Sequence, residues 1–157
     1  MAELYIRVKV GREIFIFNAP SSCNRQVSRV HIIADDVLKA KLLKIQQGNT
    51  GFGNLADKIL VVTANTESYA SGRERNAGYI DGGMFGMNLL YSLHYHQIGA
   101  CVLNSYLTPK DEKKIKSLIN IPKSEVLVMI ILIGEIPSKF KIAYSVRQEY
   151  SKVTTLH

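Results

Sequence analysis

Cysteine is scarce in this chain of 157 residues, which contains only Cys23 and Cys101. Two cysteines are too few for a disulfide-based scaffold, so we expect a reducing, cytoplasmic location. Long apolar runs are also missing, because the longest covers residues 126–133 and a bilayer span needs roughly 20 residues. The first ten residues, MAELYIRVKV, lack the apolar centre of a signal peptide. We therefore expect neither secretion nor association with a membrane.

Acidic residues are in the minority, with 13 Asp and Glu against 20 Lys and Arg, and the formal net charge is +7. A nucleic-acid surface would interleave basic residues with stacking aromatic residues, and no stretch of the chain does so. The basic residues are instead dispersed over separate segments, as on the solvated faces of amphipathic elements. We predict no nucleic-acid partner, although a positive field would help to gather small anions such as phosphorylated cofactors.

The patterning of apolar residues predicts one domain, residues 1–157, of the α+β class. The apolar fraction of 46% is normal for a globular protein. A helix capped by Asp35 or Asp36 should follow the first strand, and Thr108 with Pro109 should begin another helix. The order of elements indicates a three-layer sandwich, with helices on both faces of the sheet and an extended arm over residues 137–157. The predicted strands are residues 28–34, 58–64, 99–104 and 125–134, and the longest predicted helix is residues 77–97.

The predicted helix 77–97 combines an apolar stripe, Ile80, Met84, Met87 and Tyr91, with three glycines beside it. Each glycine costs a helix roughly 1 kcal/mol relative to alanine. Close packing of the helix against another backbone is a plausible compensation.

The sequence gives little support for a metal site or for a catalytic nucleophile. His94 and His96 are two residues apart on a predicted helix, so they point to different faces and cannot both ligate one ion. Neither cysteine belongs to a CxxC pair, and a small buried thiol is the commoner fate of such a residue. No GxSxG motif is present. We predict no metal site and no catalytic nucleophile.

The segment GNTGFGN, residues 48–54, has the glycine content of a phosphate-binding loop. It follows a helix and precedes a strand, however, which is the reverse of the usual context of such loops. An ordinary connection is therefore favoured, although the backbone N–H groups of the segment could still help to bind an anion.

The segment APSSCNRQ, residues 19–26, concentrates hydrogen-bonding side chains just before a buried strand. Pro20 fixes the backbone, and two hydroxyls, two amides and a guanidinium follow within six residues. Such a loop suits a flat polar ligand with several carbonyl and N–H groups. The residues alone nevertheless favour a capping turn, with ligand binding as the alternative.

This segment resembles the P-S-S-x-N-x-Q signature of the nitroreductase family of flavoproteins. The family usually continues with Pro-Trp, whereas this chain has Val27 and Ser28. The resemblance continues in order over residues 18–151. The segment KILVVTA is similar to an apolar strand of that family, and YIDGGMFGMNLLYSLHYHQIGACVLN is similar to its central helix with a short strand. The segment LINIPKSEVLVMIILIGEIP is similar to its last core strand, and YSVRQEY is similar to its arm.

The resemblance implies a nitroreductase-like three-layer sandwich with a mixed or antiparallel central sheet. It also implies a homodimer with FMN at the subunit interface and NAD(P)H as the reductant. Hydride would pass through the flavin to a nitroaromatic, a quinone or another small acceptor, so that no acid–base pair is required. The implied cofactor-binding residues are Pro20, Ser21, Ser22, Asn24 and Gln26 in the loop, Asn49, then Val102, Leu103, Asn104 and Ser105 beside the isoalloxazine, and Arg147 at the phosphate.

The N-terminal segment departs from the family pattern. Family members normally begin with an Arg-Arg-Ser-x-Arg type of motif that holds the FMN phosphate, and residues 1–18 contain no such motif. Arg7, Lys9 and Arg12 are basic but wrongly spaced, and the segment alternates like a strand. We expect this segment to be atypical or truncated. The alternative function is therefore a degenerate member of the family, with weak or no flavin binding and a structural or partner role.

Overall fold

The computed structural model describes residues 18–141 and 144–157. The expectations for residues 1–17, including the roles of Arg7, Lys9 and Arg12, lie outside the described residues. Four antiparallel strands form one sheet in the spatial order β1-β2-β4-β3. The strands are β1 (Ser28–Ile33), β2 (Lys58–Asn65), β3 (Ile98–Leu103) and β4 (Glu125–Glu135), close to the predicted bounds.

The two central strands, β2 and β4, carry most of the core. The six residues between the ends of β2 are all buried, as expected for a strand that is covered on both faces. Their pairing contains a β-bulge, since Val62 pairs with Met129 and Thr63 pairs with Leu127, which leaves Val128 as the extra residue.

Helices cover both faces of the sheet, which confirms the three-layer α+β architecture. Helices α1 (Asp36–Gln46) and α3 (Pro109–Leu118) lie on one face, where Leu42 and Ile115 pack on buried residues of all four strands. Helix α2 (Ala77–Tyr95) lies on the other face, where Leu89 and Leu93 contribute to a second cluster.

Local sequence signals set the helix boundaries. The side chain of Asp35 accepts a hydrogen bond of 2.8 Å from the N–H of Leu38, and Gln47 ends α1 in the left-handed conformation. The side chain of Thr108 caps α3 in the same way, and Pro109 occupies its first turn. Both predicted helix starts are therefore confirmed.

The glycines of α2 allow close packing, although the neighbours are side chains rather than the backbone that the sequence suggested. A Cβ atom on Gly82 would lie 2.6 Å from Cγ2 of Val128, and one on Gly86 would collide with the side chain of Met129. Both neighbours belong to the bulged part of β4. The bulge and the glycines thus fit together at one place on the sheet.

The chain beyond β4 forms an exposed arm with one short helix, α4 (Tyr150–Val153). The arm agrees with the prediction for residues 137–157, apart from residues 142 and 143, which lie outside the described residues. In the described part of the chain, no helix combines the length and the apolar character that crossing a membrane requires.

Candidate functional site

The polar loop that precedes β1 has an unusual backbone. Residues Ser22–Asn24 form a 3₁₀ turn, and Cys23, Asn24 and Gln26 have φ angles of 53°, 55° and 50°. The left-handed region costs a residue with a side chain of the order of 1–2 kcal/mol, with asparagine among the most tolerant. Three such residues within four positions require compensating contacts, and backbone outliers of this kind cluster at functional sites.

The main contact is the carboxylate of Asp81 on α2, a side chain that is almost completely buried. The backbone N–H of Ser22 donates to Oδ2 of Asp81 and the Ser22 hydroxyl donates to Oδ1, each over 3.0 Å. The hydroxyl of Tyr69 donates to Oδ2 over 2.8 Å. Burial, with a further contribution from this hydrogen bond, raises the pKa of Tyr69 to about 12, so the phenol stays protonated as a donor.

A second contact attaches the loop to the segment before α2. The guanidinium of Arg25 lies 2.5 Å from the carboxylate of Glu74 and 5.3 Å from the ring centroid of Tyr69. The hydrogen bond from Arg25 lowers the pKa of Glu74, and the same bond raises the pKa of Arg25. Arg25 therefore supports the loop and is already engaged by a carboxylate.

The remaining loop residues form a small exposed surface. The backbone N–H of Gln26 donates to Oγ of Ser21 over 2.9 Å, and Nε2 of Gln26 donates to Oδ1 of Asn24 over 3.2 Å. Within the described ranges, Nδ2 of Asn24 and Oε1 of Gln26 have no protein partner. This amide pair presents one donor and one acceptor side by side, next to the exposed ring of Pro20. We name Asn24 and Gln26 the amide pair.

The second predicted group of site residues lies at the end of β3, on the other edge of the sheet. The side chain of Val102 is exposed, whereas Leu103 is buried in the cluster below α1 and α3. Leu103 can thus offer a ligand only its backbone. The hydroxyl of Ser105 donates to the carbonyl of the bulge residue Val128 over 3.4 Å, and the carbonyl of Asn104 accepts from Gln46.

Asn49, in the glycine-rich segment, donates hydrogen bonds to the end of α1. Its Nδ2 donates to the carbonyl of Leu43 over 2.8 Å and to Oε1 of Gln46 over 3.0 Å. These bonds close the C-terminal end of α1. The arrangement agrees with an ordinary connection over residues 48–54, and the predicted role of Asn49 in binding a cofactor remains a prediction.

The two groups belong to opposite edges of one sheet. The polar loop leads into β1, and residues 102–105 leave β3, which are the outermost strands in the order β1-β2-β4-β3. Three strand spacings, about 14 Å in total, separate these edges. The two predicted groups of site residues therefore lie apart within one chain, and we refer to each group as a predicted half-site.

The other predicted positions are peripheral. Arg147 is exposed in the arm, and it forms no ion pair in the described part of the chain. Cys23 and Cys101 are exposed, so the expectation of buried thiols was wrong. Cys23 lies in the tight turn and Cys101 in an edge strand, and none of the described helices covers either place. No three His, Cys, Asp or Glu side chains within residues 18–141 and 144–157 are grouped to hold a metal ion.

Sequence reasoning missed three residues that organise these half-sites, namely Asp81, Tyr69 and Gln46. Asp81 carried a signal, because it is the only Asp, Glu, Lys or Arg within residues 77–95. A lone carboxylate among apolar residues and glycines requires a specific partner if it is buried. The identity of that partner, 59 positions away along the chain, was not readable from local patterns.

Comparisons with known proteins identify the family and the fold. The model of the nitroreductase family matches residues 46–135, and no curated protein sequence matches. Among solved structures, a nitroreductase family protein from Streptococcus pneumoniae is similar with a TM-score of 0.76 at 15% identity, over 93% of this chain and 86% of that one. An FMN-dependent nitroreductase from Clostridium difficile has a TM-score of 0.73 at 18% identity, over 92% and 83% of the two chains.

A third similar structure is the NADPH:FMN oxidoreductase from Vibrio harveyi, with a TM-score of 0.75 at 16% identity, over 94% of this chain and 67% of that one. Identities at this level establish a shared fold. The family model, in contrast, matches more than half of the sequence, including β2, α2, β3 and β4. On this basis the chain belongs to the nitroreductase family.

Proposed function

We propose that this chain is an FMN-dependent oxidoreductase that passes hydride from NAD(P)H to a small acceptor such as a nitroaromatic or a quinone. Bound FMN would supply the hydride-accepting centre, which the side chains do not provide. Family membership supports the proposal, and so do the titles of two similar structures, which name FMN. The main structural support for the proposal is the amide pair, which is exposed on a loop whose backbone has an unfavourable conformation.

The amide pair suits the imide edge of a flavin ring, which has an N–H group between carbonyl groups. Nδ2 of Asn24 is positioned to donate to a carbonyl and Oε1 of Gln26 to accept from the N–H. At the other half-site, the exposed side chain of Val102 offers an apolar surface for an aromatic ring, and residues 103–105 offer backbone groups. We assign the phosphate to Arg147, whose guanidinium can bind it bidentately.

We also propose a homodimer in which the loop of one protomer completes the half-site at the β3 end of its partner. The separation of the two half-sites on opposite edges supports this arrangement. A further support is the apolar stripe on α2. Ile80, Met84, Met87 and Tyr91 recur at helical spacing and remain between 36% and 61% exposed. A continuous exposed stripe of this kind is typical of a protein interface.

The charge and the cysteines of the chain are compatible with the proposed cofactors and location. A net charge of +7 favours the approach of anionic nicotinamide cofactors and of FMN itself. We propose a cytoplasmic location, because the two exposed free thiols suit a reducing compartment.

A second candidate function is that of a degenerate family member with weak or no flavin binding. One specific observation favours it. The Ser22 hydroxyl is already occupied by Asp81, and the side chain of Leu103 is buried in the core. Fewer of the predicted residues are therefore free to contact a flavin than the resemblance implied.

An anaerobic titration of the FMN-loaded protein with NADH and with NADPH tests the enzymatic function. We expect one of them to bleach the visible flavin absorbance stoichiometrically, and added quinone or nitroaromatic to restore it. Failure of both reductants to reduce the bound flavin would contradict the proposal. The variant Arg147→Ala should bind FMN more weakly, whereas Lys152→Ala, in the same exposed arm, should not. Unchanged affinity of Arg147→Ala would refute the assignment of the phosphate to Arg147.

A further inference from the structure

Helix α2 contains one charged residue, and it points into the protein against the polar loop. Asp81 is almost fully buried and receives three hydrogen bonds, two from Ser22 and one from Tyr69. We propose that Asp81 is a positioning residue, which holds residues 20–26 in the conformation in which the loop binds flavin. The proposal deepens the proposed function and rests on it.

The loop needs an external support because its own conformation is unfavourable. Cys23, Asn24 and Gln26 all adopt left-handed backbone angles. Both bonds from Ser22 end on the side chain of Asp81, one on each of its oxygen atoms, so they hold Ser22 in a single orientation. Since one of them comes from the backbone N–H, Asp81 fixes the main chain itself, immediately before the three left-handed residues.

Asp81 also connects the loop to a rigid part of the molecule. Helix α2 packs on all four strands, and its glycines fit closely against β4. Some other contacts of the loop are internal, as between Ser21 and Gln26. The rest lead to Glu74 in a short surface turn, to the ring of Tyr69, and to Arg29 of β1, whose guanidinium donates to the carbonyl of Gln26. Among the described residues, the bonds from Ser22 are the direct hydrogen-bonded link between the loop and α2. They therefore hold the turn that carries the amide pair against α2, which packs on the sheet.

Two substitutions of Asp81 distinguish the loss of the carboxylate from the loss of its hydrogen bonds. In Asp81→Asn, the carboxamide oxygen can accept from Ser22 N–H and Tyr69, and the amide can donate to the rotatable Ser22 hydroxyl. Asp81→Ala removes all three bonds and leaves the N–H of Ser22 without its partner. Glu125→Gln is the matched control, because Glu125 is also a buried, hydrogen-bonded carboxylate but has no contact with residues 20–26.

The loop contains its own reporter, the exposed thiol of Cys23. In a Cys101→Ser background it is the only cysteine of the chain, so a nitroxide can be attached there and its mobility measured by electron paramagnetic resonance. The affinity for FMN is measured separately, on unlabelled protein. We expect Asp81→Ala to give a mobile label and FMN binding weakened by about tenfold or more. Asp81→Asn should recover most of both, and Glu125→Gln should leave the label unchanged.

An unchanged label spectrum and unchanged FMN affinity in Asp81→Ala would overturn the proposal. If this variant does not fold, Tyr69→Phe takes its place, since it removes one of the three donors and should shift both readouts in the same direction by less. If the wild-type protein binds no FMN, the proposed function fails, whereas the label still decides whether Asp81 holds the loop. The two failures are therefore distinguishable.

Discussion

The side chain of Gln46, near the end of α1, donates a hydrogen bond of 3.0 Å to the backbone carbonyl of Asn104, just beyond β3. Its Oε1 atom accepts from the N–H of Gly48 over 2.8 Å and from the side chain of Asn49 over 3.0 Å. Gln46 is only 6% exposed, so no solvent replaces these partners. One buried amide thus joins the helix, the glycine-rich connection and the predicted half-site at the β3 end.

Replacing Gln46 with alanine should destabilise the protein by about 1–3 kcal/mol, because it removes the three hydrogen bonds of a buried side chain. Urea denaturation measures this change in the free energy of unfolding. Lys44→Ala, on an exposed position of the same helix, is the control and should have little effect. A loss for Gln46→Ala no larger than that of the control would contradict the structural role of the amide.

Two adjacent glycines of α2 should respond to alanine in opposite directions. Gly82→Ala places a Cβ atom 2.6 Å from Val128, and overpacking of this kind costs about 1–3 kcal/mol. Gly83 has nothing within 4 Å of such an atom, so Gly83→Ala should stabilise the helix by roughly 0.5–1 kcal/mol. Thermal unfolding of the two variants is the measurement. Equal effects of both substitutions would show that α2 does not pack on the bulge of β4 in this way.

The lowered pKa of Glu125, at the start of β4, should make the stability of the protein depend on pH. Burial alone would raise its pKa, but hydrogen bonds from Thr63 and His31 outweigh burial and bring the pKa below its ordinary value of 4.5. A carboxyl group with a lowered pKa in the folded state contributes stability above its unfolded pKa. That contribution is lost as the pH falls through the folded value.

The variant Glu125→Gln should therefore be less stable than the wild type at pH 7, and the difference should shrink below about pH 4.5. Denaturant titrations at a series of pH values measure it. Glu135→Gln, at the exposed other end of the same strand, should give a small difference at every pH. A difference between wild type and Glu125→Gln that stays constant down to acidic pH would contradict the lowered pKa.

Much of this fold was predictable because its elements carry local signals. Strands such as residues 58–64 are mostly apolar. The starts of α1 and α3 are marked by Asp35 and Thr108, which act as caps in the structure. Helices on both faces of the sheet followed from the apolar stripes. Residues 142 and 143 of the arm, and the N-terminal segment, lie beyond what the structure describes.

The candidate site was predictable only in part, because its organisation depends on long-range contacts. The polar loop was recognisable from its residue types, but its left-handed turn and its support by Asp81 arise from pairing across 59 positions. The exposure of the two cysteines depends on which elements the helices leave uncovered. Register, bulge position and the partners of Gln46 likewise have no local signature.

The exposed apolar stripe on α2 should form the interface of the proposed homodimer. Met87 is 45% exposed at the middle of the stripe, and Met87→Lys would place a charge in the proposed dimer interface. We expect this variant to sediment as a monomer and to retain less FMN than the wild type. Val37→Lys is the control, because Val37 is also an exposed apolar residue of a helix but lies on α1. A wild-type dimer in Met87→Lys would place the interface elsewhere.

The most direct test of the central claim is the visible absorption spectrum of the purified protein after incubation with excess FMN and desalting. We expect flavin bands that correspond to about one FMN per chain, since each dimer would hold two equivalent sites. A colourless protein that retains no added FMN would contradict it. The chain would then be a family member that has kept the fold without binding the cofactor.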